Sequence, residues 1–358
     1  KGVIMKKELL MATALVSTLG AASVAQAVTA TMSGSMKIGA EFDSPENGVD
    51  TQNVVDLSNF SVSLSETTDA GTTISSSFGV IDEGASDIGD DDNALKLTFT
   101  DGSAIELLNA GNALGTHDIS VPGGAGETGV AGTTTNRAPT DLDFMAGSTA
   151  LGVEWHSAAD FLADGLKMSA SYSTDSGAAK GATSRVESSW GVGATYVTSA
   201  GDTAVTVGAG FAGSDVANTS TQTTGGKEGF TVGVSAVTGD LTVAVGYADG
   251  DSFDPIDTVG GNTANMDING SVLKAGISYV TGDITLAVGA TSGEATDVNY
   301  GTAPTTDDAK DTLSGSVTYA VASGVSAVVG YLTEDHQDNG ASDDTGGSSW
   351  YVGATMSF

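Results

Sequence analysis

The segment "VTATMSGSMKIGAEF", from Val28 to Phe42, alternates along its whole length. Val28, Ala30, Met32, Gly34, Met36, Ile38, Ala40 and Phe42 share one face, with Thr29, Thr31, Ser33, Ser35, Lys37 and Glu41 on the other. A period of two predicts a β-strand with one apolar face. The run is far longer than a typical globular strand. The same alternation returns at Phe60-Val62-Leu64, Ile74-Phe78-Val80, Leu95-Leu97-Phe99, Leu151-Val153-Trp155, Leu166-Met168-Ala170-Tyr172, Trp190-Val192-Ala194-Tyr196 and Val205-Val207-Ala209-Phe211. Beyond these come Phe230-Val232-Val234, Leu241-Val243-Val245-Tyr247, Leu273-Ala275-Ile277-Tyr279, Ile284-Leu286-Val288, Leu313-Val317-Tyr319, Val325-Ala327-Val329-Tyr331 and Trp350-Val352-Ala354-Met356-Phe358. With a short strand at Ile105-Leu107 after the Asp101-Gly102 turn, the pattern predicts about sixteen strands.

Neighbouring strands pair as repeated hairpins. "AVTGDLTVAVGY" from Ala236 and "YVTGDITLAVGA" from Tyr279 are near copies that alternate, break at Gly-Asp and alternate again. Related turns fall near Asp202 and Gly324, so the chain is a meander of antiparallel hairpins. Connections alternate in length. "TTDAG" from Thr67, Asp101-Gly102 and the Gly-Asp turns are tight, whereas "IDEGASDIGDDDN" from Ile81 and the segments around 248–270, 291–312 and 332–349 are polar, acidic and expected as long loops. All tight turns then lie at one end of the strands and all long loops at the other, the layout of a membrane barrel.

The aromatic residues support that layout. Tyr196, Tyr279, Tyr319 and Phe358 close the apolar faces at the tight-turn end, and Phe42, Tyr172, Phe211, Tyr247 and Tyr331 close them at the loop end. Two bands of amphipathic rings bounding an apolar belt are what a bilayer selects, because ring bodies favour the interface while their polar tips stay hydrated. A soluble sandwich rarely keeps such placement through so many strands.

Composition narrows the partners. The 358 residues include 12 basic and 45 acidic ones, a formal charge of -33, which argues against nucleic acid, since polyanion binding needs clustered Lys and Arg. The absence of cysteine removes disulfides, thiolate metal sites and thiol nucleophiles. Near the start, Met5 is followed by Lys6-Lys7, an apolar run from Leu9 to Leu19, and Ala25-Gln26-Ala27, a small-x-small cleavage pattern. Residues 1–27 are expected to be a secretory signal, with Lys1 to Ile4 upstream of the initiating Met5. Its removal leaves 9 basic and 44 acidic residues. No later stretch is long and apolar enough for a spanning helix.

Together these residues resemble the Gram-negative general porins, particularly the alphaproteobacterial type, over residues 28–358. The most specific elements are the opening "VTATMSGSMKIGAEF" and the ending "SSWYVGATMSF". Trp350, Val352, Ala354, Met356 and Phe358 look like the terminal signal read by the barrel assembly machinery. The resemblance implies a sixteen-stranded outer-membrane barrel, a homotrimer in contact with lipid and lipopolysaccharide, whose third loop folds inward to narrow the pore. Barrel size alone says that about sixteen strands enclose water.

A candidate third loop spans 109–148, too long for a simple connection. It carries Asp118, Glu127, Arg137, Asp141 and Asp143 as candidate constriction residues. In the family such acids face a basic cluster on the wall. Here strand parity puts Lys37, Lys96, Lys167 and Lys274 on the lumen face beside Glu41, Glu106 and Glu154, and no Arg falls there on an assigned strand.

Other chemistry is sparse. His117, His156 and His336 are scattered, and no nucleophile sits at a spacing that suggests a base beside it, so no enzyme activity is expected. Asp90-Asp91-Asp92 is a candidate Ca²⁺ ligand set, although such runs are commonly solvated loops. "GVGATYV" at Gly191 lacks the setting of a dinucleotide-binding motif and reads as barrel packing. The expectation is a porin passing ions and small hydrophilic solutes by passive diffusion, preferring cations and requiring no cofactor. The competing reading is a secreted, acidic, Ca²⁺-ordered surface-layer or adhesin-like protein.

Overall fold

The computed structural model describes residues 28–46, 48–82, 94–108, 111–123, 138–146, 151–174, 185–218, 223–259, 262–297, 306–338 and 345–358. The expected signal segment, Asp90–Asp92, Glu127 and Arg137 lie outside them. Sixteen antiparallel strands close into one barrel, each hydrogen-bonded to its sequence neighbours and the last to the first. They are β1 (Thr29–Pro45), β2 (Thr51–Thr67), β3 (Thr73–Asp82), β4 (Leu95–Thr98), β5 (Ala104–Leu107), β6 (Gly152–His156), β7 (Leu166–Thr174) and β8 (Arg185–Ala200). The circuit continues through β9 (Thr203–Asn218), β10 (Thr223–Thr238), β11 (Leu241–Val259), β12 (Asn262–Thr281), β13 (Ile284–Asp297), β14 (Thr306–Ala322), β15 (Val325–Asp338) and β16 (Thr345–Ser357). Among the described residues one short helix, α1 (Ala113–Thr116), lies in the connection between β5 and β6.

Closure joins the two ends of the described chain. Met36 pairs with Met356 and Phe42 with Trp350, and Phe358 exchanges backbone hydrogen bonds of 3.1 and 3.2 Å with Gly34. Removing every unpaired strand edge is what permits a sheet to contact hydrocarbon. The hairpins behave as their turns dictate. Thr238 pairs with Leu241 and Thr281 with Ile284, leaving two-residue turns whose first residues, Gly239 and Gly282, have φ of +57° and +59°. That left-handed backbone matches strand twist and is open to glycine at no steric cost.

The outer face is the apolar one. Val243, Leu286 and Val288 stand 45%, 42% and 48% exposed, as do residues of the same parity around the circuit. A continuous belt of exposed apolar side chains is stable only against lipid or another apolar surface. Phe42, Trp350, Tyr172 and Tyr247 are exposed at one rim, and Tyr196, Tyr279, Tyr319 and Phe358 at the other.

Two expectations change. The acidic segments around 248–270, 291–312 and 332–349 are largely strand, because β11 runs 19 residues to Val259, β12 runs 20 from Asn262, β14 begins at Thr306 and β15 reaches Asp338. Polar residues on both faces erase the period-two signal although the ladders continue above the belt. The tight-turn end also holds one longer connection, residues 157–165 between β6 and β7, shaped by Ser157 Oγ accepting from Met168 N at 2.9 Å and by edge-on packing of Trp155 and Phe161 at 5.5 Å. Wall height is uneven: β4, β5 and β6 have 4, 4 and 5 residues.

Candidate pore constriction

The connection between β5 and β6 folds into the barrel and lies on its inner wall. Asn112 caps α1 by accepting from Leu114 N at 3.0 Å. Ala113 N donates to Ser171 Oγ of β7 at 3.0 Å, Thr116 Oγ1 donates to Glu154 of β6 at 2.7 Å, and His117 Nδ1 meets Thr195 Oγ1 of β8 at 2.7 Å. Three strands thus hold one turn of loop.

Beyond α1 the loop needs bare backbone beneath it. A Cβ at Gly193 would strike the Ala113 carbonyl and His117, one at Gly210 would meet Leu114, and one at Gly233 would meet Ile119. One at Gly276 would strike the Pro122 carbonyl and one at Gly289 would meet Gly123. The returning leg, residues 138–146, crosses the same wall nearer the loop end: Pro139 covers Gly293, Leu142 covers Gly246, and Met145 covers Gly229 and Gly250. Glycines on β8 to β13 therefore form a track on which two legs of loop seat. The "GVGATYV" glycines expected as barrel packing belong to it, Gly191 lying under Asn112 and Gly193 under α1.

Apolar contacts complete the seat. Leu114 and Met145 pack with Ala212 of β9, and Leu142 with Ala248 of β11 and Val272 of β12. Leu114, Ala212 and Val272 are 0% exposed. Burying such side chains contributes on the order of 1.5 to 3 kcal/mol each. The loop is thereby held as a packed lining.

The two legs gather carboxylates. Asp143 lies beside Gly115, at 3.6 Å from the position a Cβ would take there. Partial burial and the Asp143 charge raise the Asp118 carboxyl above its ordinary value, with Lys274 opposing. Lys274 Nζ donates to Asp141 Oδ1 at 3.1 Å, which places that lysine beneath the loop on the wall it covers. His117 is 4% exposed and its Nε2 has no hydrogen bond. Burial, with the nearby charges of His156 and Lys167, holds its pKa down to about 4.

The other wall residues are dispersed. Lys37 sits 4.3 Å from the centre of the Tyr351 ring. Tyr351 is wholly buried on the lumen face, packs with Val55 and Val328, and donates to the Ile38 carbonyl at 3.3 Å. Glu41 is 3% exposed and accepts from Ser349 Oγ at 3.3 Å. Lys96 contacts Glu106 at 2.6 Å, while Lys167 stays exposed. Lys310 meets Glu334 at 3.3 Å, and Glu334 meets His336 at 3.1 Å, near the loop end. Strand parity missed this last group because its residues fell in segments read as loops. It also missed Tyr351, whose neighbours Trp350 and Val352 dominate the outward pattern.

No protein-family model matches the sequence, and no curated relative matches it. Solved structures do match in shape. They include OmpT, an outer membrane protein of Vibrio cholerae in a trimer form, at TM-score 0.61 and 15% identity over 92% of this chain and 99% of that one. An anion-selective porin from Comamonas acidovorans matches at 0.63 and 11%, over 92% and 100%. The outer membrane channel DcaP of Acinetobacter baumannii matches at 0.56 and 11%, over 94% and 99%. At such identities the likeness is one of architecture: the chain has the sixteen-stranded porin fold.

Proposed function

We propose that this chain is a porin of the bacterial outer membrane, of the alphaproteobacterial general type, passing ions and small hydrophilic solutes by passive diffusion. The observation that carries the reading is a closed sixteen-stranded barrel with an apolar exterior, whose lumen is narrowed by a packed loop presenting Asp118, Asp141 and Asp143. Sixteen strands enclose more space than wall side chains fill, so the loop sets the aperture. Passive diffusion asks for no covalent chemistry and no cofactor.

Cation preference follows from charge placement. Lys274 and Lys96 are each paired with a carboxylate, and the exposed loop acids stand in the aperture with the cations scattered around them. Screening at physiological salt confines each charge to about 8 Å, so groups at the narrowest point dominate. The Comamonas neighbour is described as anion-selective, so shape alone does not set the sign.

A homotrimer fits the uneven wall. Strands β4 to β6 are too short to cross a belt of about 25 Å, at roughly 3.4 Å per residue. Asp56 shares the outer face with its ladder partner Ile38, and a carboxylate facing lipid is costly. Both features favour a protein neighbour on this side. The remaining surface would contact lipid and lipopolysaccharide, with the Trp350-to-Phe358 strand read by the barrel assembly machinery. A Ca²⁺-ordered surface-layer or adhesin-like protein has no need of a closed barrel with an apolar belt.

Planar-bilayer recording of the purified, folded protein tests the reading. Stepwise, ohmic conductance with a cation-positive reversal potential is expected. Absence of channels from heat-modifiable, folded protein would refute it.

A further inference from the structure

At the foot of the inward loop, three lumen side chains on two adjacent strands converge. Glu106 of β5 lies directly opposite Glu154 of β6 in the ladder, and His156 follows Glu154 by two residues on the same face. Each offers one ligand atom, and the three atoms lie within 4.8 Å of one another. We propose that Glu106, Glu154 and His156 form a binding site for a borderline divalent cation of the Zn²⁺ class on the channel wall.

The electrostatics ask for a cation. Like charges directly opposite on paired strands repel. Glu154 is wholly buried, and a buried carboxylate is costly unless neutralised and fully hydrogen-bonded. Its Oε1 accepts from Thr116 at 2.7 Å, but Oε2 has no partner. Lys96 is the nearest described cation. It contacts Glu106 at 2.6 Å on the side away from Glu154, and its side chain is 44% exposed. One lysine thus stands beside two carboxylates and reaches only Glu106.

The histidine is arranged as metal-binding histidines are. Nδ1 lies 3.0 Å from Ser169 Oγ on β7. With that nitrogen carrying the proton toward Ser169, Nε2 presents its lone pair toward Glu106, while Glu154 Oε1 lies 3.8 Å from Nδ1 at the ring's other edge. Nε2 makes no hydrogen bond, and Glu106 Oε1 lies 3.4 Å from it. Ligands that are one imidazole and two carboxylates suit Zn²⁺, with a lumen water completing four-coordination. Ca²⁺ asks for six to eight oxygens, more than these three side chains provide.

Occupancy would also bear on the loop. Glu154 holds Thr116 at the end of α1, so a cation drawing on Glu154 tightens the anchor of the constriction. The binding claim is independent of the channel reading, and its test does not use conductance.

The test is a Zn²⁺ titration of the purified, folded full chain by calorimetry, in excess Ca²⁺ to occupy the acidic rim, followed by zinc-edge X-ray absorption. One Zn²⁺ per chain with one imidazole in its shell is expected. His156→Ala should weaken binding by more than about tenfold, and Ser169→Ala, which removes only the outer hydrogen bond, by about tenfold. Glu106→Gln is the companion variant, each variant being checked for heat-modifiable migration. An all-oxygen shell, no saturable Zn²⁺ binding, or affinity unchanged in the folded variants would overturn the proposal.

Discussion

Asp141 and Lys274 stand 133 residues apart in the chain and meet at 3.1 Å, the first on the inward loop and the second on the wall beneath it. The lysine therefore offsets a loop carboxylate locally and does not face it across the pore. With Asp141 68% exposed, the pair contributes little to stability but holds the loop acid over the wall.

The proposed cation preference rests on this arrangement. Under a salt gradient the wild-type channel should give a reversal potential for cations. Asp141→Asn with Asp143→Asn should move the permeability ratio toward one. An anion preference in the unmodified protein at low salt would place control with the lysines.

The outer face yields a second expectation. Val243→Arg puts a guanidinium into hydrocarbon and should lower barrel stability by up to about 2 to 4 kcal/mol, and Leu286→Arg by less, because its ladder partner Tyr279 stands in the rim band. Thr242→Arg and Thr285→Arg point to water and should cost much less. Urea refolding titrations in lipid vesicles compare the four, and equal tolerance on both faces would contradict the register.

The glycine track predicts a split between two similar substitutions. Gly276→Ala forces a methyl against the Pro122 carbonyl, which is backbone and cannot rotate aside, whereas Gly79 on β3 has open space where its Cβ would stand. Single-channel conductance should change in Gly276→Ala as the loop lifts and stay at the wild-type value in Gly79→Ala. Both barrels should still fold, because alanine is compatible with strand backbone.

His117 is expected to give the channel an acid response. Its seated pKa, near 4, lies below the ordinary value of 6.5, so a lifted loop binds the proton more readily than a seated one. The seating this neutral histidine supports is fully present above pH about 6.5 and is lost as pH falls toward 4. Asp118, raised by burial, works in the opposite sense, its protonation favouring the seated loop. Open-channel noise between pH 7 and pH 4.5 should rise in the wild type and rise less in His117→Gln. Identical profiles would remove His117 from the response.

Much of the architecture was legible because its signals are local. Alternation in "VTATMSGSMKIGAEF" reports which side of the sheet each residue takes, and Gly239 and Gly282 report where the chain reverses, so strand number, lipid face and hairpin order follow from neighbours within a few residues. The long polar arms of β11 to β15 read as loops for the same reason, since a strand with water on both sides carries no alternation. The site was only partly legible. Parity placed Lys37, Lys96 and Lys274 toward the lumen, but their partners were fixed by pairings across the barrel: Tyr351 under Lys37, Glu106 beside Lys96 and Asp141 above Lys274. The glycines of β8 to β13 were visible as residues and not as a seat, because the loop that covers them comes from a connection far away in the chain. His156 reads as one of three scattered histidines in the sequence, because Glu106 joins it and Glu154 only through the β5–β6 ladder across the whole inward loop. The sequence by itself determined which face each side chain takes, because that is a property of the strand. Which side chains meet inside the barrel was decided by closure and by the path of one loop, because those contacts depend on where distant segments come to rest.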